Sequence, residues 1–533
     1  MKTRTRGFYN TLVAVLDRVP HKADILLILA AIAYSLPSIG YPFGRDQAAH
    51  FYVGREWLNG LLPYRDIFDH KPPGIHLVHA ASILLLGAHQ WSIRAAELAG
   101  MVLIGITASR AVRRSRPCGC GESGVLVLLT ASFYFTCFDY WDTAQVETWE
   151  GLALVASYAA AEKEQKWWRR AVLSGCLAGA AFLFKFPSAI ISLFIAGVVA
   201  LRSHDDAGKR HWLRMPGSLA FFAGGFAGVS GACAGYFILR GGWSEMLDML
   251  YGFNRYYVLQ KPTDAAVALA WVSNFWITNC SLWVCVVLVL WFAGIVFAVK
   301  GRYWPIARGA AMAMLLCVSA AASVVIQQKF YSYHWGVMVP FMMACAGYGV
   351  AVCMRYLPRI TIVTALAIVL IGFFSAPPWC VNNNTNYLKA TVSFWLYNAG
   401  YMERANYLKP FTGGFGYNYQ DNEMIGEMIK KRAGPGDQLH VRGFEPAIYA
   451  VSGLRSPSRY FVEIPFIDTK LQYRHGEWLH EHQRALLTCQ PRFIVTFSHD
   501  TYDLRSLLKR GYLKITSAGR FVLLERGRWL EEK

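Results

Sequence analysis

The chain has 533 residues, of which 55% are hydrophobic and 16% are charged, and its mean hydropathy is +0.28. A soluble protein of this length carries about a quarter charged residues, so the composition excludes an ordinary soluble protein and indicates several membrane spans. The formal net charge is +19, but the lysines and arginines stand in short clusters between apolar runs. Because this is the pattern of cytoplasmic loops rather than of a nucleic-acid-binding surface, we expect no nucleic-acid partner.

The first apolar run, residues 23–40, has no small-residue cleavage site after it and is predicted to be a retained span. A charge-rich loop follows it, with two segments of helical periodicity at 46–60 and 72–88. The second segment is short, begins with two prolines and contains His76 and His79. We therefore predict that both segments are juxtamembrane helices in the outer interface of the first outer loop, not spans.

Ten further apolar segments approach the roughly 20 residues that cross a bilayer. Together with the first run they predict about eleven spans, the later ten at residues 91–111, 123–138, 146–162, 170–186, 187–203, 217–239, 276–299, 307–327, 334–354 and 359–378. If the N-terminus is cytoplasmic, the basic clusters between spans all fall on the cytoplasmic side. The predicted fold class is a mainly α, polytopic helical membrane protein, with its transmembrane domain at residues 1–378.

The remaining residues, 379–533, are polar and contain no plausible span. An odd number of spans places them outside the cytoplasm, and their pattern predicts a small extracytoplasmic α/β domain. The predicted elements are two helices and four short strands, the last two strands forming a hairpin: helices 421–432 and 501–510, strands 438–441, 492–497, 512–516 and 520–524.

Isolated polar residues of both signs stand where the outer loops meet the spans, as expected of a cavity at the outer membrane surface. They are Asp46, Asp69, Lys71, Arg94, Glu147, Lys185, Lys329, Tyr333 and His334. Each has a structural alternative. Asp46 and Asp69 could cap the helices that follow them, Glu147 could face a helix dipole, and the cations and Tyr333 could anchor the interface.

No metal site is indicated. The histidines of the first outer loop, His50, His70, His76 and His79, are expected to be dispersed, and no HExxH-like pair occurs. The absence of an Asp-x-Asp signature favours a lipid-linked sugar over a nucleotide sugar. A divalent cofactor is not excluded.

Several motifs occur in a fixed order along the chain: Gly44 to Gln47, Leu58 to Asp66, Asp69 to Pro73, Trp91 to Arg94, Ala144 to Glu147, Gly175 to Lys185, and Lys329 to His334. In this order the chain resembles the membrane-embedded GT-C glycosyltransferases that use polyprenyl-phosphate sugars. The most similar branch includes the protein mannosyltransferases, the lipid A aminoarabinose transferases and related lipopolysaccharide glycosyltransferases. The resemblance covers residues 23–378.

The resemblance implies an inverting glycosyltransferase in the bacterial inner membrane. It would take a sugar from a polyprenyl-phosphate donor and transfer it to lipopolysaccharide, protein or cell-wall glycan in the cell envelope. Asp46 would be the catalytic carboxylate, because such a transfer needs a group that deprotonates the acceptor. Lys71, with Arg94, Lys185, Lys329 and His334, would neutralise the carrier phosphate, while Asp69, Glu147 and Tyr333 would contact the sugar or orient Lys71.

Other functions stay open. A lipid or glycan flippase would show internal repeats and charges near the middle of its spans, and neither is obvious here. A wall arabinosyltransferase, or a ligase that uses a diphosphate-linked glycan, would share the same architecture.

Overall fold

The computed structural model describes residues 20–112, 121–163, 166–205, 214–260, 263–378, 385–468 and 472–527. The basic clusters predicted near residues 2–18 lie outside these ranges, as do parts of those near 110–116 and 202–214. The chain divides into two compact units. We call residues 1–40, 94–233 and 263–392 the span unit, and residues 41–93, 234–262 and 393–533 the mixed unit.

This division differs from the boundary predicted at residue 378. The first outer loop and residues 234–262 belong to the same compact unit as the C-terminal region. Sequence composition changes after residue 378, but compactness follows contacts between distant segments, which composition does not report.

The helices that lie mainly in the span unit are long and apolar. In chain order across both units, the first helices are α1 (Pro20–Ser35), α2 (Arg45–Leu58), α3 (Pro73–Leu86), α4 (Gln90–Val112), α5 (Glu122–Cys137), α6 (Val146–Lys163), α7 (Trp167–Phe182), α8 (Ser188–Asp205) and α9 (Arg214–Leu239). They are followed by α10 (Trp243–Leu247), α11 (Asn254–Gln260), α12 (Ala265–Ser273), α13 (Ser281–Lys300), α14 (Trp304–Gln327), α15 (Val339–Tyr356) and α16 (Pro358–Phe374). A 3₁₀ segment, Ser332–Met338, precedes α15.

Each of the eleven predicted spans coincides with helical structure, which confirms a polytopic helical membrane protein. In the described ranges, six helices are long and apolar enough by length and composition to cross a membrane: Lys22–Gly40, Gln90–Val112, Arg214–Leu239, Ser281–Lys300, Trp304–Gln327 and Ser332–Tyr356. Shorter apolar helices account for further predicted spans, among them Glu122–Cys137, Ser188–Ser203 and Pro358–Phe374.

Helices of the span unit approach one another closely at glycines. A Cβ on Gly349 of α15 would lie 2.0 Å from the carbonyl oxygen of Leu290 in α13, and a Cβ on Gly175 of α7 would lie 2.1 Å from that of Phe222 in α9. Small residues at such crossings let backbones pack where no hydrophobic effect drives helices together. These contacts fix the positions of the helix ends that carry the candidate site.

The two helices predicted in the first outer loop are present as α2 and α3. Leu84 and Leu85 of α3 are 74% and 78% exposed, as expected of an apolar face directed at lipid. The C-terminal part of the mixed unit adds short helices: α17 (Tyr387–Asn398), α18 (Arg404–Leu408), α19 (Tyr419–Arg432), α20 (Pro446–Ser452), α21 (Ile464–Ile467), α22 (His475–Cys489) and α23 (Thr501–Lys509).

The strands are β1 (Thr412–Gly413), β2 (Tyr417–Asn418), β3 (Leu439–Val441), β4 (Phe493–Phe497), β5 (Tyr512–Ala518) and β6 (Phe521–Arg526). The first two pair with each other, and the other four form a sheet of order β3-β4-β6-β5. In that sheet β3 is parallel to β4, and the other pairs are antiparallel. Ile494, Val522 and Leu524 pack into its core. The predicted strands and terminal hairpin are confirmed, because alternating apolar residues and a turn at Ala518-Gly519 determine them locally.

Candidate functional site

Three predicted site residues come together in the span unit. Glu147 lies in the first turn of α6, and its Oε1 accepts the ammonium group of Lys185 in a short ion pair. His334 Nε2 lies 3.9 Å from the same oxygen. All three residues are buried. We call Glu147, Lys185 and His334 the Glu147 cluster.

Local structure explains why the cluster forms. Lys185 follows α7 in a tight turn, where its amide donates to Ala181 O and its carbonyl accepts from Ser188 N at the start of α8. Gly336 of the 3₁₀ segment lies against Glu147, since its Cβ position would be 3.2 Å from Glu147 Cβ. Short turns at three helix ends therefore direct three charged side chains to one point.

Lys329 and Tyr333 belong to the segment that delivers His334. Both are buried, and the Tyr333 and His334 rings are 4.6 Å apart, edge to face. The residues on either side of Lys329 have left-handed backbones, Gln328 with φ 52° and Phe330 with φ 51°. Such conformations are costly for side chains of this size and persist only where the surroundings require them, often at functional sites.

Arg94 has another set of contacts than the predicted phosphate ligation. It is fully buried, and its guanidinium donates to Thr143 Oγ1 at 2.8 Å and to Tyr140 O at 2.9 Å. Glu97, one turn further along α4, accepts from the amide of Ala144. Arg94 and Glu97 thus hold the loop that leads into α6, so Arg94 acts on Glu147 by positioning its helix.

In the mixed unit, Asp46 lies half-buried in the first turn of α2. It is not the helix cap, because Gly44 occupies that position. The preceding residue, Arg45, donates to Glu445 Oε1 at 2.5 Å and to Gly414 O at 3.0 Å. Arg45 therefore holds the start of α2 against the C-terminal segment and determines where Asp46 lies.

Glu445 is the centre of a network that the sequence did not indicate. Besides Arg45, it accepts from Arg520 through Oε1 and from Asn422 Nδ2 at 3.0 Å through Oε2. Its side chain is 1% exposed. Nothing in the sequence pairs residues 400 positions apart, so only a three-dimensional arrangement could reveal this network.

The backbone around Lys71 is held by three hydrogen bonds. Asp69 Oδ1 accepts from Lys71 N at 2.7 Å, Tyr64 OH donates to Lys71 O at 2.8 Å, and Asn254 donates to His70 O at 2.7 Å. Asp69 therefore does not cap α3, whose N-cap is Pro72. A turn this constrained fixes the origin of the Lys71 side chain, as a preorganised ligand requires.

The expectation that the histidines of this loop are dispersed is wrong for two of them. His50 Nδ1 lies 3.9 Å and His76 Nε2 lies 3.7 Å from Asp69 Oδ2, because α2 and α3 pack side by side. Burial, followed by the nearby His76, His79, Lys71 and His70, holds the pKa of His50 well below its ordinary value. A neutral imidazole can ligate a metal, so His50, Asp69 and His76 form one group in the described residues that could hold an ion.

Comparison with known proteins places this geometry. A family model described as dolichyl-phosphate-mannose-protein mannosyltransferase matches residues 70–230, which include Lys71, Glu147 and Lys185. A crystal structure of ArnT from Cupriavidus metallidurans bound to undecaprenyl phosphate matches with a TM-score of 0.63 at 14% identity, covering 95% of this chain and 98% of that one. The chain has the ArnT fold.

The apo structure of the same protein matches with a TM-score of 0.57 at 13% identity, again covering 95% of this chain and 98% of that one. No curated protein matches the sequence. The resemblance to the GT-C class inferred from the ordered motifs is confirmed at the level of the fold.

Proposed function

We propose that this chain is an inverting membrane glycosyltransferase that takes a sugar from a polyprenyl-phosphate carrier. The acceptor is a hydroxyl or phosphate on lipopolysaccharide, protein or cell-wall glycan, on the outer side of the bacterial inner membrane. The N-terminus is cytoplasmic and the C-terminal region is extracytoplasmic, as the basic clusters favour.

The observation that carries this proposal is the Glu147 cluster. One buried carboxylate is shared by a lysine and a histidine at the ends of apolar helices. Glu147 Oε2 is buried and has no hydrogen-bond partner among the described residues. A buried oxygen left unsatisfied is costly, which favours a site that a polar ligand completes.

The cluster suits the donor's phosphate and sugar. As the glycosidic bond breaks, the carrier phosphate gains negative charge, and fixed cations that face it stabilise the transition state. We assign Lys185, His334 and Lys329 of the span unit to this role, and the unsatisfied oxygen of Glu147 to a sugar hydroxyl. That an ArnT crystal structure contains undecaprenyl phosphate supports a carrier of this class.

We assign related roles in the mixed unit to Lys71 and Asp46. Lys71, on its fixed turn, contributes positive charge toward the phosphate. Asp46 accepts the proton of the acceptor hydroxyl as its oxygen forms a bond to the anomeric carbon. The bond from that carbon to the phosphate oxygen breaks, and the polyprenyl phosphate leaves with the electron pair. Attack from the side opposite the phosphate inverts the anomeric centre.

The test is to incubate purified protein with synthetic polyprenyl-phosphate sugars and measure release of polyprenyl phosphate. Asp46→Asn should lower the rate about 10²–10⁴-fold, the usual contribution of a general base, without loss of donor binding. Glu427→Gln is the matched control, because it removes an exposed carboxylate in α19 and should leave the rate unchanged.

Near-normal transfer by Asp46→Asn would overturn the assignment of the base. If no sugar donor turns over, but the protein speeds lipid movement between the leaflets of vesicles, the glycosyltransferase proposal fails in favour of a transporter.

A further inference from the structure

Three polar side chains from separate segments meet in the C-terminal part of the mixed unit. His440 lies in β3, Glu463 immediately precedes α21, and His482 lies in α22. The Nε2 atoms of His440 and His482 lie 3.5 Å and 3.4 Å from the same oxygen, Glu463 Oε1. All three side chains are 3–4% exposed.

These distances match ligands around an ion better than a hydrogen-bonded triad. A neutral N–H···O bond has a donor–acceptor distance of about 2.9–3.0 Å, and one to a charged partner is shorter. By contrast, nitrogen and oxygen ligands about 2.0–2.1 Å from a tetrahedral zinc ion are separated by about 3.3–3.4 Å. In addition, His482 Nε2 is buried and has no hydrogen-bond partner among the described residues.

Surrounding groups hold the three side chains in this orientation. His482 Nδ1 lies 2.9 Å from Ser458 Oγ, and the other carboxylate oxygen of Glu463 accepts from Gly443 N at 2.8 Å. Phe466 stacks on the His482 ring. Outer contacts of this kind are typical of metal-ligating histidines and carboxylates, because they fix the ring orientation and leave the inner atoms for the ion.

One neighbouring charge opposes a cation. Arg442 Nε lies 3.5 Å from Glu463 Oε2, which is the oxygen facing away from the two histidines. The same guanidinium also lies 3.5 Å from Asp500, so its charge is shared between two carboxylates. Glu463 Oε1 therefore keeps its negative charge directed at the histidines.

We propose that His440, Glu463 and His482 bind a divalent first-row transition-metal ion, with zinc as the probe. Two imidazoles and one carboxylate suit zinc, cobalt or iron better than magnesium or calcium, which prefer oxygen ligands. The ion would tie β3, the segment before α21, and α22 together and so stabilise the C-terminal region. The site is independent of the proposed sugar transfer.

The test uses the full chain in detergent without a polyhistidine tag, stripped with a chelator, reloaded with Zn²⁺ and freed of excess metal. Metal is then counted by mass spectrometry. His482→Asn and Glu463→Gln should each hold about one zinc fewer per chain than His480→Asn. His480 is the matched control, because it lies two residues away in α22 on the exposed side. Comparing variants also allows for any zinc bound by the His50 group.

A second measurement covers variants that fail to fold. Zinc should raise the midpoint of thermal unfolding of both wild type and His50→Asn, and chelator should reverse the shift, because an ion that binds only the folded state stabilises it. Equal zinc in His482→Asn and His480→Asn would overturn the proposal. So would a zinc-loaded wild type without bound metal, or a thermal shift that disappears in His50→Asn.

Discussion

The two compact units each centre on one buried carboxylate beside two cationic side chains, but they satisfy it differently. In the mixed unit, both oxygens of Glu445 accept hydrogen bonds, from Arg45, Arg520 and Asn422. In the span unit, Glu147 Oε1 is paired with Lys185, while Oε2 has no partner among the described residues. A fully satisfied network stabilises a fold, whereas a partly satisfied one leaves capacity for a ligand.

The difference assigns a structural role to the Glu445 network and a functional role to the Glu147 cluster. It also reflects how each unit is held together. Close helix crossings at glycines fix the span unit, so a few charges can be left for chemistry. The mixed unit is built from short elements, and arginine–carboxylate pairs connect segments that are distant along the chain.

The largest expected effect on stability is at Glu445. Glu445→Gln leaves Arg45 and Arg520 without a counter-charge, and we expect the free energy of unfolding to fall by about 3–5 kcal/mol. Chemical unfolding of the purified protein in detergent measures this change. Glu427→Gln, an exposed change in the same unit, should shift it by less than about 0.5 kcal/mol. Similar losses in the two variants would show that the Glu445 network is not structural.

Next in size is the effect of Lys185 on transfer. Lys185→Gln should lower release of polyprenyl phosphate about 10²–10³-fold, because a cation that stabilises the leaving phosphate is lost. Lys300→Gln, an exposed lysine at the end of α13, should keep the wild-type rate.

Combining Lys185→Gln with Glu147→Gln separates stability from chemistry. Removing both charges should recover much of the stability lost when Lys185 alone is changed, because no unpaired buried charge remains. Transfer should stay low. If transfer recovers together with stability, the Glu147 cluster is structural like Glu445, and the contrast between the units fails.

A smaller effect tests the helix crossings of the span unit. Gly349→Ala places a methyl group against the carbonyl of Leu290 and should destabilise the protein by about 1–3 kcal/mol. Gly197→Ala is the matched control in α8, where a Cβ meets open space, and should be neutral or slightly stabilising. Thermal unfolding of both variants measures the difference, and equal midpoints would show that the α13–α15 crossing tolerates side chains.

The smallest effect is expected at Arg404 and Glu423, an ion pair whose arginine side chain is 47% exposed. Glu423→Gln should change the free energy of unfolding by at most about 1 kcal/mol, and the change should shrink in high salt. A loss as large as that of Glu445→Gln, unaffected by salt, would mean that burial does not distinguish the two pairs.

Part of the candidate site could be predicted from the sequence. Glu147, Lys185 and His334 each stand at a helix end within a recognisable motif, and their meeting in the span unit confirms that these outer segments converge. The role of Arg94 was not predictable, because a cation at a span end gives no sign of whether it contacts a ligand or a neighbouring loop. Its burial against Thr143 and Tyr140 decided this.

The sequence alone determined the spans, the two helices of the first outer loop, and the strands and hairpin of the C-terminal region. These depend on the length and periodicity of apolar residues and on local turn residues, all of which are contiguous in the chain. Only the tertiary structure decided the Arg45–Glu445 pair, the grouping of His50 and His76 on Asp69, and the convergence of His440, Glu463 and His482. The partner of a charged side chain depends on which distant segments pack together, and burial then determines how strongly the two interact.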